Sequence, residues 1–124
     1  MKRRLVLALV ALSLTAGAFC QEIAYIESDR NWHRLYDAKG KHIGGYARSS
    51  VGDLVGWGST FFITKHWGFY RIYDVKCRLI ASLSTSNVGE VLSVSGNTFT
   101  SQKGSWIYIW DKSGKKLGSH SRTN

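Results

Sequence analysis

The chain contains no proline, one methionine and only two cysteines among its 124 residues. Without proline there is no stiff, extended linker of that type to divide it, and its length suits one domain rather than two. Two cysteines cannot make a dense disulfide scaffold, so one bridge is the most the chain can form. Acidic residues are scarce, with 8 Asp and Glu against 17 Lys and Arg and a formal net charge of +9. That balance favours acidic partners. Long apolar runs are missing as well. Leu5 to Leu14 is about half of the ~20 residues that span a bilayer.

This run belongs to a recognisable N-terminal pattern. Lys2, Arg3 and Arg4 precede it, and the small residues Ala16-Gly17-Ala18 follow. Residues 1–18 therefore read as a secretory signal peptide cleaved after Ala18, with no transmembrane segment in what remains. Lipidation at Cys20 is disfavoured because the bulky Phe19 stands immediately before it. The remaining domain, 19–124, has a net charge near +6 and is expected to be secreted or periplasmic. That compartment disfavours nucleic acid and leaves anionic envelope polymers, phosphorylated lipids or acidic proteins. It also permits a disulfide between Cys20 and Cys77, worth about 4 kcal/mol on the chain-entropy account. Two unpaired thiols are the alternative.

An internal repeat is the strongest signal in the chain. Tyr36-Asp37, Tyr73-Asp74 and Trp110-Asp111 recur at an offset of 37, as do Trp32, Phe69 and Trp106. The same step aligns Leu35, Ile72 and Ile109, then Ile43, Ile80 and Leu117, then Gly44, Ala81 and Gly118. Val51-Gly52-Asp53 matches Val88-Gly89-Glu90, and Tyr25, Phe62 and Phe99 align without any gap. The units run roughly over 22–58, 59–95 and 96–124. Each reads as four short strands parted by turns: Glu90 to Ser95, Thr98 to Ser101, Ser105 to Trp110 and Lys116 to Ser119 in the last copy. No helical period appears after residue 20. The first unit lacks its opening strand, so about eleven strands are expected.

A short strand, a turn, and an aromatic-rich strand ending in Trp-Asp or Tyr-Asp resemble a β-propeller blade of the WD type. Val91 to Ser95, Ile107 to Asp111 and Gly114 to Leu117 carry this resemblance, although the Gly-His pair of true WD repeats is missing. It implies an all-β fold of three tandem four-stranded antiparallel units. Propellers usually close with four to eight blades, so three units imply either several chains in one ring or a pseudo-threefold β-trefoil.

No catalytic chemistry is legible. The repeated Asp37, Asp74 and Asp111 open tight turns, where a carboxylate accepts from the amides that follow it. Gly40 and Gly114 then supply positive φ, and Cys77 takes that place in the middle copy. His33, His42, His66 and His120 have no metal-pair spacing and do not recur in the repeat. There is no Gly-x-Ser-x-Gly elbow. Gly56-Trp57-Gly58 lacks the strand-to-helix context of a phosphate cradle. The reading is a non-enzymatic protein with no cofactor and no metal.

Five Trp, six Tyr and five Phe exceed the needs of a small core. Trp57 and Trp67 are the leading ligand candidates, because Val94 and Gly104 occupy their repeat positions. Lys39, Lys41, Lys76, Arg78, Lys112, Lys115 and Lys116 fall in the equivalent turns after Asp. Rotational stacking of the units would gather them on one basic rim, unless they are simply solvated turn residues. The expected function is a binding or scaffold module that recognises a glycan or an anionic cell-envelope polymer. A purely structural homo-oligomer of repeats is a second reading, and an inhibitor of a foreign hydrolase is a third.

Overall fold

A computed structural model of the chain describes residues 21–122; the segment read as a signal peptide, together with Cys20, lies outside them. The protein is all-β. Strands β1 (Tyr25–Ser28), β2 (Trp32–Tyr36) and β3 (His42–Ala47) form the first sheet. The second contains β4 (Asp53–Trp57), β5 (Phe61–His66), β6 (Phe69–Asp74) and β7 (Leu79–Ser84). The third contains β8 (Glu90–Ser95), β9 (Thr98–Lys103), β10 (Trp106–Asp111) and β11 (Lys116–Ser121). Each sheet is an antiparallel meander in chain order. Every strand of the second sheet begins 37 residues before its counterpart in the third. Even the bulges recur, at Leu35/Tyr36, Ile72/Tyr73 and Ile109/Trp110.

Among the described residues no strand pairs with a strand of another sheet. The units stack face to face, and the trefoil alternative, which needs strands shared around one barrel, is not the fold. The reason lies in β5. Phe61, Phe62, Ile63 and Thr64 are all fully buried. Successive strand residues point to opposite faces, so this strand demands cover on both sides. A neighbouring sheet on each face supplies it.

Each sheet accordingly has an aliphatic and an aromatic face. The aliphatic face of the first sheet, with Ile26, Leu35 and Ile43, meets Phe62, Tyr73, Leu54 and Val75 of the second. The other face of the second sheet, with Ile63, Ile72, Ile80 and Leu83, meets Phe99, Trp110, Val91 and Val94 of the third. Ring stacking reinforces both layers. Phe62 lies between Tyr46 and Tyr73, at 5.5 and 5.4 Å between ring centroids. Phe99 stacks on Trp110 at 6.0 Å. The Trp110 indole N–H is satisfied by Ser101 Oγ at 2.9 Å.

Two single helical turns, α1 (Arg48–Val51) and α2 (Thr85–Val88), carry the chain from one sheet to the next. Four residues are too few to print a helical period, which is why the sequence reads as helix-free here. Val51 and Val88 plug the core beneath each turn. Gly52 and Gly89 then reverse the chain at φ +102° and +87°. A Cβ at Gly89 would lie 2.3 Å from the Gln102 carbonyl oxygen, and one at Gly52 would lie 2.6 Å from that of Lys65. Each glycine carbonyl accepts a bond from the same repeat position. His33 Nε2–H donates to Gly52 and the Tyr70 hydroxyl to Gly89, both at 2.8 Å. Burial raises the Tyr70 hydroxyl above its ordinary pKa, so it stays protonated as a donor.

Gly89→Ala is expected to cost more than about 3 kcal/mol, combining positive-φ strain with a backbone clash. Gly104→Ala, at φ +61° with open space around it, should cost about 1 kcal/mol. Urea unfolding of the two variants separates these contributions.

Candidate functional site

Strand direction assigns every loop to one of two ends. One end carries the β4–β5 and β8–β9 turns and the β2–β3, β6–β7 and β10–β11 turns, the last three opening with Asp37, Asp74 and Asp111. The other carries the β1–β2, β5–β6 and β9–β10 hairpin tips and the two helical crossovers.

The three Asp turns are built alike. Asp37 Oδ1 accepts from the amides of Lys39 and Lys41, Asp74 Oδ1 from Lys76 and Arg78, and Asp111 Oδ1 from Ser113 and Lys115, all at 2.9 Å. The Lys41 amide leads in holding the Asp37 carboxyl below its usual range, and the Ser113 hydroxyl leads for Asp111. At Asp74 burial pushes upward, but the Arg78 and Lys76 amides and the Arg78 guanidinium outweigh it, and the net shift is downward. Gly40 and Gly114 sit at φ +80° and +88°, and Cys77 adopts φ +62° in their place. Its thiol is half-buried against the first core layer, and burial raises its pKa.

The turn cations thus share one end, but several are engaged within the protein. Lys112 Nζ donates to Thr60 Oγ1 at 2.8 Å, and Arg78 pairs with Asp74 at 2.9 Å. Lys116 Nζ stands 4.0 Å from the Tyr108 ring centroid. Lys39, Lys41, Lys76 and Lys115 are exposed. No turn cation lines the cavity between the first and second sheets or the cleft between β4 and β8.

Trp57 and Trp67 occupy different places. The Trp57 ring packs on the first core layer and meets Tyr25 edge-on at 5.9 Å. It lies beside β1, on the flank where the other two sheets have a further strand. Among the described residues the first sheet has no strand at that flank, and the indole packs there; Val94 takes the same repeat position in the third sheet. Its outer side borders a shallow cleft of about 350 Å³ between β4 and β8.

Trp67 stands at the β5–β6 tip and is 82% exposed. Its φ of +52° is followed by +81° at Gly68, a pair that closes a two-residue hairpin of type I′. A bulky residue at positive φ is an outlier that local propensity does not explain; Gly104 takes this position in the third sheet.

Trp67 borders the larger cavity, about 620 Å³, between the first and second sheets. This volume falls within the range of small-molecule sites. Trp32, Arg30, Arg48, Lys65, His66 and Asp53 contribute to the same wall. Arg48 is held by Asp53 at 2.9 Å and by the Asp29 carbonyl at 3.0 Å. Arg30 and Lys65 have no ion-pair partner among the described residues. The floor is rigid. Asp29 pairs with Arg34 at 2.6 Å and accepts from the amides of Asn31 and Trp32. The Arg34 bond foremost, then those amides, hold the Asp29 carboxyl down to about 2. The His66 ring lies 5.4 Å from that of Trp67, and its Nδ1 is buried without a hydrogen-bond partner.

The sequence singled out Trp67 as a candidate but not Arg30, Trp32, Arg48, Lys65 and His66, which line the same cavity. One signal was present. Trp32, Phe69 and Trp106 align, and all three are exposed at 44%, 43% and 46%, at the hairpin end of each sheet. Among the described residues no three His, Cys, Asp or Glu gather as metal ligands, and no helix is long and apolar enough to cross a membrane. No model of a known protein family matches the chain, and no curated protein is found similar to it.

Trp67→Gly is expected to stabilise the protein slightly, because relief of positive-φ strain of about 1–2 kcal/mol outweighs the unfolded-state freedom that glycine adds, about 0.5–1 kcal/mol; a raised urea midpoint would show it. The depressed Asp29 carboxyl adds stability that is full above the unfolded Asp pKa of about 3.9 and is lost as pH falls toward 2. Asp29→Asn should therefore flatten the acid arm of a stability–pH profile and lower stability at neutral pH.

Proposed function

We propose that the protein is a secreted or periplasmic, non-enzymatic binding module for an acidic carbohydrate of the cell envelope, held in the cavity between the first and second sheets. The observation that carries this reading is Trp67, an exposed indole kept in a strained backbone conformation at the mouth of a cavity that also holds Trp32. Strain at an exposed residue contributes nothing to folding and is found where a side chain must be presented. Indoles offer flat apolar faces to the C–H faces of sugar rings, and polar groups around them fix orientation. Arg30, Arg48 and Lys65 give the same wall a positive sign, which suits carboxylate or sulfate groups on the sugar.

The turn lysines have a lesser place in this proposal than the sequence alone would assign them. They stand at the far end of the sheets, and three of the seven cations are engaged by neighbouring groups. Their summed field draws polyanions toward the protein without forming the recognition site. The blade-type resemblance agrees with a binding role, because stacked sheets offer clefts between neighbours at both ends.

Titration calorimetry with a hexuronic-acid oligomer and its neutral counterpart tests the proposal. The acidic oligomer should bind saturably and the neutral one more weakly. Trp67→Ala and the pair Arg30→Gln with Lys65→Gln should each weaken binding by roughly tenfold or more. Lys39→Gln with Lys41→Gln should change it less than about twofold. Equal loss from both sets would place recognition on the field of the whole molecule, and no binding of either oligomer would defeat the proposal.

A further inference from the structure

The stack leaves two faces uncovered, and they are the two halves of the same interface. Within the chain, the aromatic face of one sheet always receives the aliphatic face of the sheet before it. Among the described residues no sheet covers the aromatic face of the first sheet. Tyr25 is 54% exposed there, whereas its repeat counterparts Phe62 and Phe99 are at 0% and 1%. Among the described residues no sheet covers the aliphatic face of the third sheet. Leu92, Ile109 and Leu117 are exposed there, whereas Ile72, the counterpart of Ile109, is fully buried.

The turns repeat this complementarity. A Cβ at Gly114 would rest 3.2 Å from Leu83 and 3.3 Å from Ala81 of the preceding sheet. In the middle unit the Val75 carbonyl, beside Cys77, accepts from the Tyr46 hydroxyl of the first sheet, and burial pushes that hydroxyl's pKa up to about 12. Gly40 holds the place of Gly114 in the corresponding turn of the first sheet, and Gly118 takes the place of Ala81 in the third. Neither has any atom within 4 Å of its Cβ direction. Both surfaces are prepared, and both are empty.

We infer that two copies of the chain associate head to tail, the aliphatic face of each third sheet receiving the aromatic face of the other copy's first sheet. A heterologous contact of this kind forms a ring when its rotation closes. Three sheets cannot close a ring alone, but two chains supply about six, inside the usual range of four to eight. The new contact is softer than the internal ones. Thr98 and Thr100 stand where the second sheet has Phe61 and Ile63, and Tyr25 and Tyr36 bring hydroxyls to the facing side. Association is therefore reversible and depends on concentration.

Light scattering of the exported protein across micromolar concentrations tests this directly. The mass should rise from one chain to two and stop there. Ile109→Lys with Leu117→Lys should abolish the rise, and so should Tyr25→Lys on the other face. All three positions are exposed, so the unfolding midpoints measured at the monomer-forming concentration should stay near that of the parent. Mixing the two variants distinguishes a head-to-tail contact from any symmetric patch. One chain retains an intact first sheet and the other an intact third, so the mixture should recover a two-chain mass through a single interface. A one-chain mass at every concentration would overturn the inference, as would a three-chain or open-ended mass series. Failure of the mixture to pair would overturn the head-to-tail arrangement.

Discussion

Everything in this structure depends on sheets that are apolar on both faces. Such a sheet is stable only between two neighbours, and the chain supplies that condition once, for the second sheet. Full burial of a large apolar side chain is worth about 1.5–3 kcal/mol, and net domain stability is only about 5–15 kcal/mol. Phe61, Phe62, Ile63 and Ile72, all at 0% exposure, therefore bind the three units into one cooperative object. The first and third sheets are each half-finished by comparison. Their outer faces carry the same repeat positions with more hydroxyl and fewer aliphatic groups, a compromise between solubility and the cover that stacking would provide.

The two ends of the stack divide the remaining work. At the Asp end each Asp turn is closed upon itself, since the carboxylate takes two amides from its own loop and the strand ends pair across it. A turn so satisfied has little left to offer a ligand, and the recurrence of its residues follows from geometry that must be rebuilt in every unit. The hairpin end is free of that demand. Its tips read Asp29-Arg30-Asn31, His66-Trp67-Gly68 and Lys103-Gly104-Ser105, with no residue type held at a common position. Divergence among equivalent tips is what a scaffold permits where backbone geometry alone does not dictate the side chain. The cationic and indole groups of the proposed site gather there.

The 37-residue step made the fold class legible down to individual strands, because identical strands and turns must repeat identical side-chain patterns. It could not say how each position would be used. Leu35, Ile72 and Ile109 are one position in the repeat, yet the first two are fully buried and the third is 36% exposed. The difference comes from their order in the stack, which the local pattern does not record. Trp57 and Trp67 look alike as departures from the repeat. One packs against Tyr25 and the first core layer and the other projects from a hairpin tip, and only tertiary placement separates them. His33 and Tyr70 make the opposite point. Their side chains differ, but both donate to the crossover glycine carbonyl, so a shared hydrogen-bonding task lay beneath an apparent mismatch. The cavity was the least legible feature, because its walls come from two units and from residues that do not recur.

The two proposals meet in the geometry of a ring. The cavity lies between the first and second sheets of one chain, so it is complete without a partner. In a head-to-tail pair the two-fold axis would run along the ring, and both cavities would open on the same end. A short oligosaccharide would gain nothing from this arrangement, since it occupies one cavity. A polymer long enough to reach both would bind the second site as an intramolecular event, and its avidity would exceed either single affinity without any new contact. Weak pairing of the chains then becomes useful in itself. A polymer that bridges the cavities binds the pair more tightly than a single chain and so shifts the equilibrium toward it by mass action, coupling assembly of the ring to the presence of the polymer it is proposed to recognise.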